Sequence, residues 1–189
     1  MAEESPTLTL VVVFLAVFVA ELALGLVGVG PGAFALAAPI ALRPWTLVTS
    51  VYAHASIPHL VGNSLALVVL GLYLERQTSA AHFHIFFLAT GVLSGLAQVW
   101  VGNAIGQSVA VLGASGAIFG LLGYLLAGNR VTDSVMDDLP LEPRTQALVA
   151  LLLAGVLTLA TAGRQVALIA HFTGLLSGLV AGRAHLLRT

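Results

Sequence analysis

Three apolar segments of this chain carry polar side chains of kinds that can do chemistry. His59 and Asn63 are four residues apart, a spacing that places both on one face of a helix. Ser115 stands in a glycine-rich turn sequence, and His171 lies early in the last apolar segment. A serine hydroxyl becomes a nucleophile when a base takes its proton, and histidine is the usual base near neutral pH. These residue types predict acyl-transfer chemistry with Ser115 as nucleophile and His171 as base.

Attack on a carbonyl group creates an oxyanion, which needs hydrogen-bond donors. We expect Ser115 at the N-terminus of a helix, where unpaired N–H groups and the helix dipole favour negative charge. The side chains of Asn63 and His59 can each add an N–H donor. Glycines around the serine permit a tight turn and a close backbone approach.

Composition decides where this chemistry takes place. Of the 189 residues, 59% are hydrophobic and 8% are charged, against about 25% charged in average globular domains. This excludes an ordinary soluble fold and a disordered chain, and the net charge of −1 excludes a basic nucleic-acid-binding protein. The absence of cysteine excludes disulfides and thiolate-bound metals, and no HExxH pattern suggests a metalloprotease. The sequence predicts an all-α membrane protein without metal or cofactor.

Six apolar segments are candidate membrane spans within a single membrane domain over residues 1–189: 8–29, 58–73, 81–101, 115–128, 145–162 and 166–187. The first is interpreted as a retained span because Glu3 and Glu4, rather than basic residues, precede it. The fourth is too short to cross a bilayer core of about 30 Å. We therefore expect the preceding loop to dip into the protein from outside, so that this helix begins below the outer surface. The connection 30–57 is interpreted as an interfacial loop broken by prolines.

The arginines orient the spans. If both termini are cytoplasmic, five of the seven basic residues lie inside: Arg76, Arg130, Arg144, Arg183 and Arg188. Only Arg43 and Arg164 then lie outside. In this orientation the four polar residues all fall in the outer part of even-numbered spans. The sequence thus predicts a watery site in the cell membrane that is open to the outside.

The motifs that carry these residues are His54-x4-His59-x3-Asn63, Gly113-Ala114-Ser115-Gly116 and Ala170-His171-x2-Gly174-x3-Gly178. Together with Gly71-x3-Glu75, their order and spacing resemble the rhomboid family of intramembrane serine proteases over about residues 8–187. The resemblance implies a six-transmembrane-helix bundle that cleaves transmembrane proteins near the outer membrane boundary with a serine–histidine dyad. It implies Ser115 as nucleophile, His171 as general base, and an oxyanion hole of His59, Asn63 and the N–H groups of Ala114 and Ser115. Supporting positions are Gly113, Gly116, Phe119, Gly174 and Gly178.

Two positions depart from the family pattern. Phe119 stands where members often have a tyrosine that stacks on the catalytic histidine, and Trp45 is followed by Thr46 rather than arginine. We also expect the glycine stripe at 174, 178 and 182 to pack on the glycines at 116, 120 and 123. Glu21 lies within the first span and should face the protein interior and find a partner there.

Alternative readings remain for the function and for single residues. A catalytically silent relative would bind client helices, and such relatives usually lack the serine or the histidine. A transporter or channel would need polar residues at several depths, whereas here Glu21 is the one deeper exception. Structural roles are expected for a larger set: Ser64, Ser94 and Ser177 in packing, His82, His84 and His185 at interfaces, and Glu75 with Arg76 at a helix end. His54 either braces the first loop or touches substrate.

Overall fold

A computed structural model of the protein describes residues 5–129, 132, 134, 142–160 and 167–188. Its helices in chain order are α1 Pro6–Leu26, α2 Thr46–Tyr52, α3 Ile57–Leu74, α4 Ala80–Ala104, α5 Ser115–Ala127, α6 Pro143–Ala160 and α7 Leu168–Arg183. All but α2 correspond to predicted spans, and the predicted all-α architecture is confirmed. The ends of the fifth and sixth predicted spans that meet at 161–166, and most of the acidic loop before α6, lie outside the described residues.

Three of the described helical segments are long and apolar enough to cross a membrane: Pro6–Leu26, Ile57–Gln77 and Ala80–Ala104. The helices α5, α6 and α7 are apolar but shorter. The count of six spans therefore stays a prediction. The helix α5, with 13 residues, is as short as the sequence indicated.

The connection between α1 and α3 is more ordered than a proline-broken loop, so that prediction was incomplete. It contains α2 and a short strand β1, Leu36–Ala37, which pairs antiparallel with β2, Ala110–Val111. Neither element could be read from periodicity, because α2 has seven residues and each strand has two. The Trp45 indole N–H donates to the Ala33 carbonyl at 3.0 Å. The pairing of β1 with β2 ties this connection to the segment that precedes α5.

The carboxylate of Glu75 fixes the N-terminal end of α1. Glu75, at the end of α3, accepts hydrogen bonds from the Ser5 hydroxyl at 2.8 and 2.9 Å and from the Thr7 backbone N–H at 3.0 Å. These groups lie at the N-terminus of α1, where unpaired N–H groups and the helix dipole favour a negative charge. Glu75 therefore joins α1 to α3 in addition to ending α3.

Glycines bring α5 and α7 into backbone contact, and the predicted contact between the two stripes is present. A Cβ atom on Gly178 would overlap the Gly120 carbonyl oxygen, and one on Gly174 would overlap the Gly116 carbonyl oxygen. A Cβ on Gly116 would also lie 2.5 Å from the Ser94 Cβ of α4. Such close approach is the use of small residues at helix interfaces within membranes. This packing holds the first residues of α5 close to the first residues of α7.

We expect Gly178→Ala to destabilise the protein by about 1–3 kcal/mol, because the added methyl group forces the α5 and α7 backbones apart. Gly155→Ala is the matched control, since Gly155 is also helical and a Cβ there would meet nothing within 4 Å. Thermal unfolding in detergent measures the difference. Equal melting temperatures for the two variants would show that the contact between α5 and α7 has room for a methyl group.

Candidate active site

The turn before α5 presents Ser115 as the first residue of that helix. Gly113 has a φ of 124°, a conformation that side-chain-bearing residues rarely adopt. Its N–H donates to the Ser50 carbonyl at 2.8 Å, which anchors the turn to α2. A Cβ on Gly113 would lie 2.6 Å from Cε1 of His59. Glycine is therefore required here both by the backbone angle and by the close approach of the His59 ring.

A cavity of about 630 Å³ opens beside this turn, between the beginnings of α3, α5 and α7. The side chains of His59, Asn63, Ser115 and His171 all line it, together with Phe119. Three segments far apart in sequence thus bring their polar residues to one space. The rest of the lining is small or apolar: Ala55, Ser56, Pro58, Gly62, Ala66, Ala110, Val111, Leu112, Ile118 and Ala167.

His171 is buried in the first turns of α7, with 9% of its surface exposed. Its ring stacks on Phe119, with ring centroids 4.2 Å apart and an interplanar angle of 17°. A phenyl ring thus occupies the stacking position without the hydroxyl of a tyrosine. Nδ1 of His171 is buried and lacks a hydrogen-bond partner among the described residues.

The hydroxyl of Ser115 and the ring of His171 border the same cavity, and no hydrogen bond joins them within the described part of the chain. Hydrogen bonds between catalytic groups are often long or misaligned in a protein without substrate and shorten when the reactant binds. In this structure the Ser115 hydroxyl and the His171 imidazole therefore share one cavity but are not hydrogen-bonded to each other.

Gln98 of α4 holds the start of α7, a contact that sequence reasoning missed. Its side-chain oxygen accepts the N–H groups of Ile169 at 3.1 Å and Ala170 at 3.2 Å. The N-cap residue of α7 is Ala167, which has no side chain able to bond these donors. The lack of a capping side chain could have indicated that a distant acceptor is needed here, but not which residue supplies it. Gln98 thereby anchors the turn that carries His171.

Unpaired donors surround the start of α5. The Asn63 amide nitrogen is buried and unpartnered. In the residues that the structure covers, the N–H groups of Ala114 and Ser115 also donate to no protein acceptor. Buried donors without acceptors are uncommon in folded proteins. Their convergence at a helix N-terminus beside Ser115 suits an anionic oxygen.

His54 lies behind the cavity wall rather than in its lining. It is 1% exposed, its Nδ1–H donates to the Tyr52 carbonyl at 3.0 Å, and its ring centroid is 5.1 Å from that of His59. Burial, followed by the neighbouring His59, lowers the pKa of His54 to about 4. This histidine is therefore neutral at pH 7, with Nδ1 as its protonated nitrogen. The structure also supplies the missing partner of Glu21, whose Oε2 accepts the His54 backbone N–H at 3.1 Å.

The other polar residues singled out in the sequence do not line this cavity. Ser177 donates to the Thr173 carbonyl of its own helix at 2.7 Å, and His82 pairs with the Ser79 hydroxyl at 2.7 Å. Ser64, Ser94, His84 and His185 do not line the cavity either. In the described ranges, no three histidine or acidic side chains stand close enough to hold a metal ion.

Comparison with known proteins places these motifs in a family. The Rhomboid domain profile matches residues 41–188. The chain is 32% identical to RHOMBOID-like protein 5 of Arabidopsis thaliana over 145 residues, which cover 76% of this chain and 45% of the relative. It is 38% identical to rhomboid protease GluP of Bacillus subtilis over 82 residues, or 43% of this chain and 15% of the relative. RHOMBOID-like protein 1 of Arabidopsis thaliana is 35% identical over 83 residues, or 44% of this chain and 20% of the relative.

The chain thus spans less than half the length of each of these relatives. The matched profile nevertheless covers α2 to α7 and all the residues that line the cavity. The apolar helices agree with the membrane location that the composition predicts. The chain is an integral membrane protein and belongs to the rhomboid family.

Proposed function

We propose that this protein is an intramembrane serine endopeptidase that uses Ser115 and His171 as a catalytic dyad. The observation that carries the proposal is that Ser115 and His171 line the same cavity, beside three unpaired N–H donors. A nucleophile, a base and donors for an oxyanion are the groups that acyl transfer requires. Membership of the rhomboid family supports the same class of hydrolase.

The proposed reaction proceeds in two halves. The Ser115 Oγ attacks the scissile carbonyl carbon while His171 takes the hydroxyl proton, and the carbonyl oxygen becomes an oxyanion. The N–H groups of Ala114 and Ser115, with the side chains of Asn63 and His59, stabilise that charge. His171 then returns the proton to the leaving amine as the peptide bond breaks. Water, activated by the same imidazole, hydrolyses the acyl-enzyme and frees Ser115.

We infer that the substrates are transmembrane proteins cut near the outer boundary of the membrane. The helices that form the cavity are apolar, so a substrate segment must reach it through the lipid or along the surface. Both termini are cytoplasmic in this proposal, as the arginine distribution favours. The whole chain then acts as one membrane domain whose site opens to the outside.

The proposed function is tested with purified protein in liposomes and a labelled single-span substrate. We expect two fragments, with the cut mapped by mass spectrometry to one end of the span, and covalent labelling of Ser115 by a fluorophosphonate probe. If the protein neither cleaves the substrate nor is labelled at Ser115, the enzyme proposal is overturned in favour of a silent relative that binds client helices. Cleavage without labelling of Ser115 would point to a different nucleophile.

We expect Phe119→Leu to lower kcat/KM by about three- to tenfold, because a stacked pair of rings is worth roughly 0.5–1.5 kcal/mol beyond its buried area. The leucine keeps an apolar side chain but not the face on which His171 rests. Phe119→Tyr is the matched control and should retain most of the activity, since its ring can stack in the same way. Steady-state cleavage of the labelled substrate measures both, and equal losses would show that stacking is not what orients His171.

A further inference from the structure

The helix α1 supplies a carboxylate to the connection that leads into α3. Oε2 of Glu21 accepts the backbone N–H of His54 at 3.1 Å, and Oε1 is buried without a hydrogen-bond partner in the described chain. A carboxylate within a membrane-spanning helix is costly, and such residues usually serve structure or function in the protein interior. The only hydrogen bond that this carboxylate forms in the described chain is to the backbone of one residue beside the candidate active site.

His54 is held on three sides. Glu21 binds its backbone N–H, the Tyr52 carbonyl accepts from its Nδ1–H, and the Phe14 ring of α1 packs on it with centroids 4.9 Å apart. Two of these three groups come from α1. His54 itself is 1% exposed, so its position depends on these three contacts, and a change at Glu21 or Phe14 removes one of the two that α1 supplies.

His59 lies between His54 and the turn that presents Ser115. The rings of His54 and His59 meet edge to face at 70°. On its other side, the His59 ring stands where a Cβ on Gly113 would lie 2.6 Å from Cε1 and 2.7 Å from Nε2. The ring of His59 is therefore confined between a residue fixed by α1 and the backbone two positions before Ser115.

We propose that Glu21 is a positioning residue for the active site: by binding the His54 backbone it sets the place of the His59 ring. It touches neither substrate nor reacting atoms and acts through His54. The catalytic consequence rests on the proposed function, in which His59 donates to the oxyanion. The structural consequence, a displaced His59 ring when Glu21 loses its acceptor oxygen, does not depend on any activity.

The kinetic test compares two substitutions at one position. Glu21→Gln keeps a side-chain oxygen that can accept the His54 N–H, whereas Glu21→Leu keeps the size but not the acceptor. We expect Glu21→Leu to lower kcat about tenfold with KM within about twofold, because a misplaced oxyanion donor weakens the transition state rather than the bound substrate. Glu21→Gln should stay within about twofold of the wild type. Leu22→Val, which changes the next residue of α1, is the matched control and should not differ from it.

The structural test observes the histidine rings directly. The chain has six histidines, so protein with isotope-labelled histidine gives few ring signals, and His59→Gln identifies the signal of His59. We expect the His59 signal to shift in Glu21→Leu and to remain in place in Glu21→Gln and Leu22→Val. Phe14→Leu, which removes the ring that packs on His54, should shift the same signal. This variant replaces Glu21→Leu in the test if Glu21→Leu does not fold.

Each outcome decides the proposal. An unmoved His59 signal in Glu21→Leu, or in Phe14→Leu where the first variant is unfolded, overturns it. Equal shifts in the glutamine and leucine variants also overturn it, because the acceptor oxygen would then be irrelevant. A wild-type protein that cleaves nothing would remove the proposed function while leaving the ring signals to decide the role of Glu21.

Discussion

Ser115→Ala is expected to lower the cleavage rate by about 10⁴-fold or more, although not to the rate of the reaction without enzyme. The methyl group keeps the start of α5 intact, because Ser115 has no side-chain hydrogen bond that helps to form this helix among the described residues. What disappears is the oxygen that forms the acyl-enzyme, and the oxyanion donors alone recover only part of the acceleration. The expected effect is thus on kcat, with melting temperature and substrate binding close to those of the wild type.

The measurement is single-turnover cleavage of the labelled substrate in liposomes, beside fluorophosphonate labelling of the same preparation. Ser177→Ala is the matched control, since that hydroxyl bonds only to the Thr173 carbonyl of its own helix. It should leave both readouts unchanged. If Ser115→Ala cleaved at the wild-type rate, Ser115 would not be the nucleophile.

Local composition was sufficient to predict most of the helices. Long apolar segments with few charges must form helices in lipid, because backbone groups there have no water to bond. Capping residues could also have fixed two of the starts: the hydroxyl of Ser56 accepts the His59 N–H at 3.3 Å, and that of Ser79 accepts the His82 N–H at 3.3 Å. The glycine stripes of α5 and α7 were equally legible, since a spacing of four residues places them on one helix face.

Contacts between distant segments could not be predicted in the same way. Gln98 and Ile169 are 71 residues apart, and no local pattern links an amide in α4 to the uncapped start of α7. The partner of Glu21 is a backbone N–H, which leaves no mark in the sequence at all. The pairing of β1 with β2 involves only Leu36, Ala37, Ala110 and Val111, which read as unremarkable apolar residues. Each of these contacts depends on how helices pack, and packing is a property of the whole chain.

His171→Ala is expected to lower kcat about 10³-fold or more, because the Ser115 hydroxyl then lacks a base to take its proton. The double variant with Ser115→Ala should be no slower than Ser115→Ala alone. Residues that act as one unit lose their joint contribution when either is removed, so the effects do not add. A fully additive double variant would mean that the two side chains act independently.

The labelling rate of Ser115 separates a base from a merely structural histidine. His171→Ala should slow fluorophosphonate labelling of Ser115 strongly. The substitution breaks no hydrogen bond of Nδ1 to a described residue, but it removes a buried ring that stacks on Phe119. We therefore expect a lower melting temperature in a protein that still folds, and labelling is measured well below that temperature. His82→Ala is the matched control, because that exposed ring lies at the start of α4 beside Ser79 and away from the cavity. It should label at the wild-type rate. Normal labelling of Ser115 in His171→Ala would contradict the dyad, because an activated serine would then exist without the imidazole.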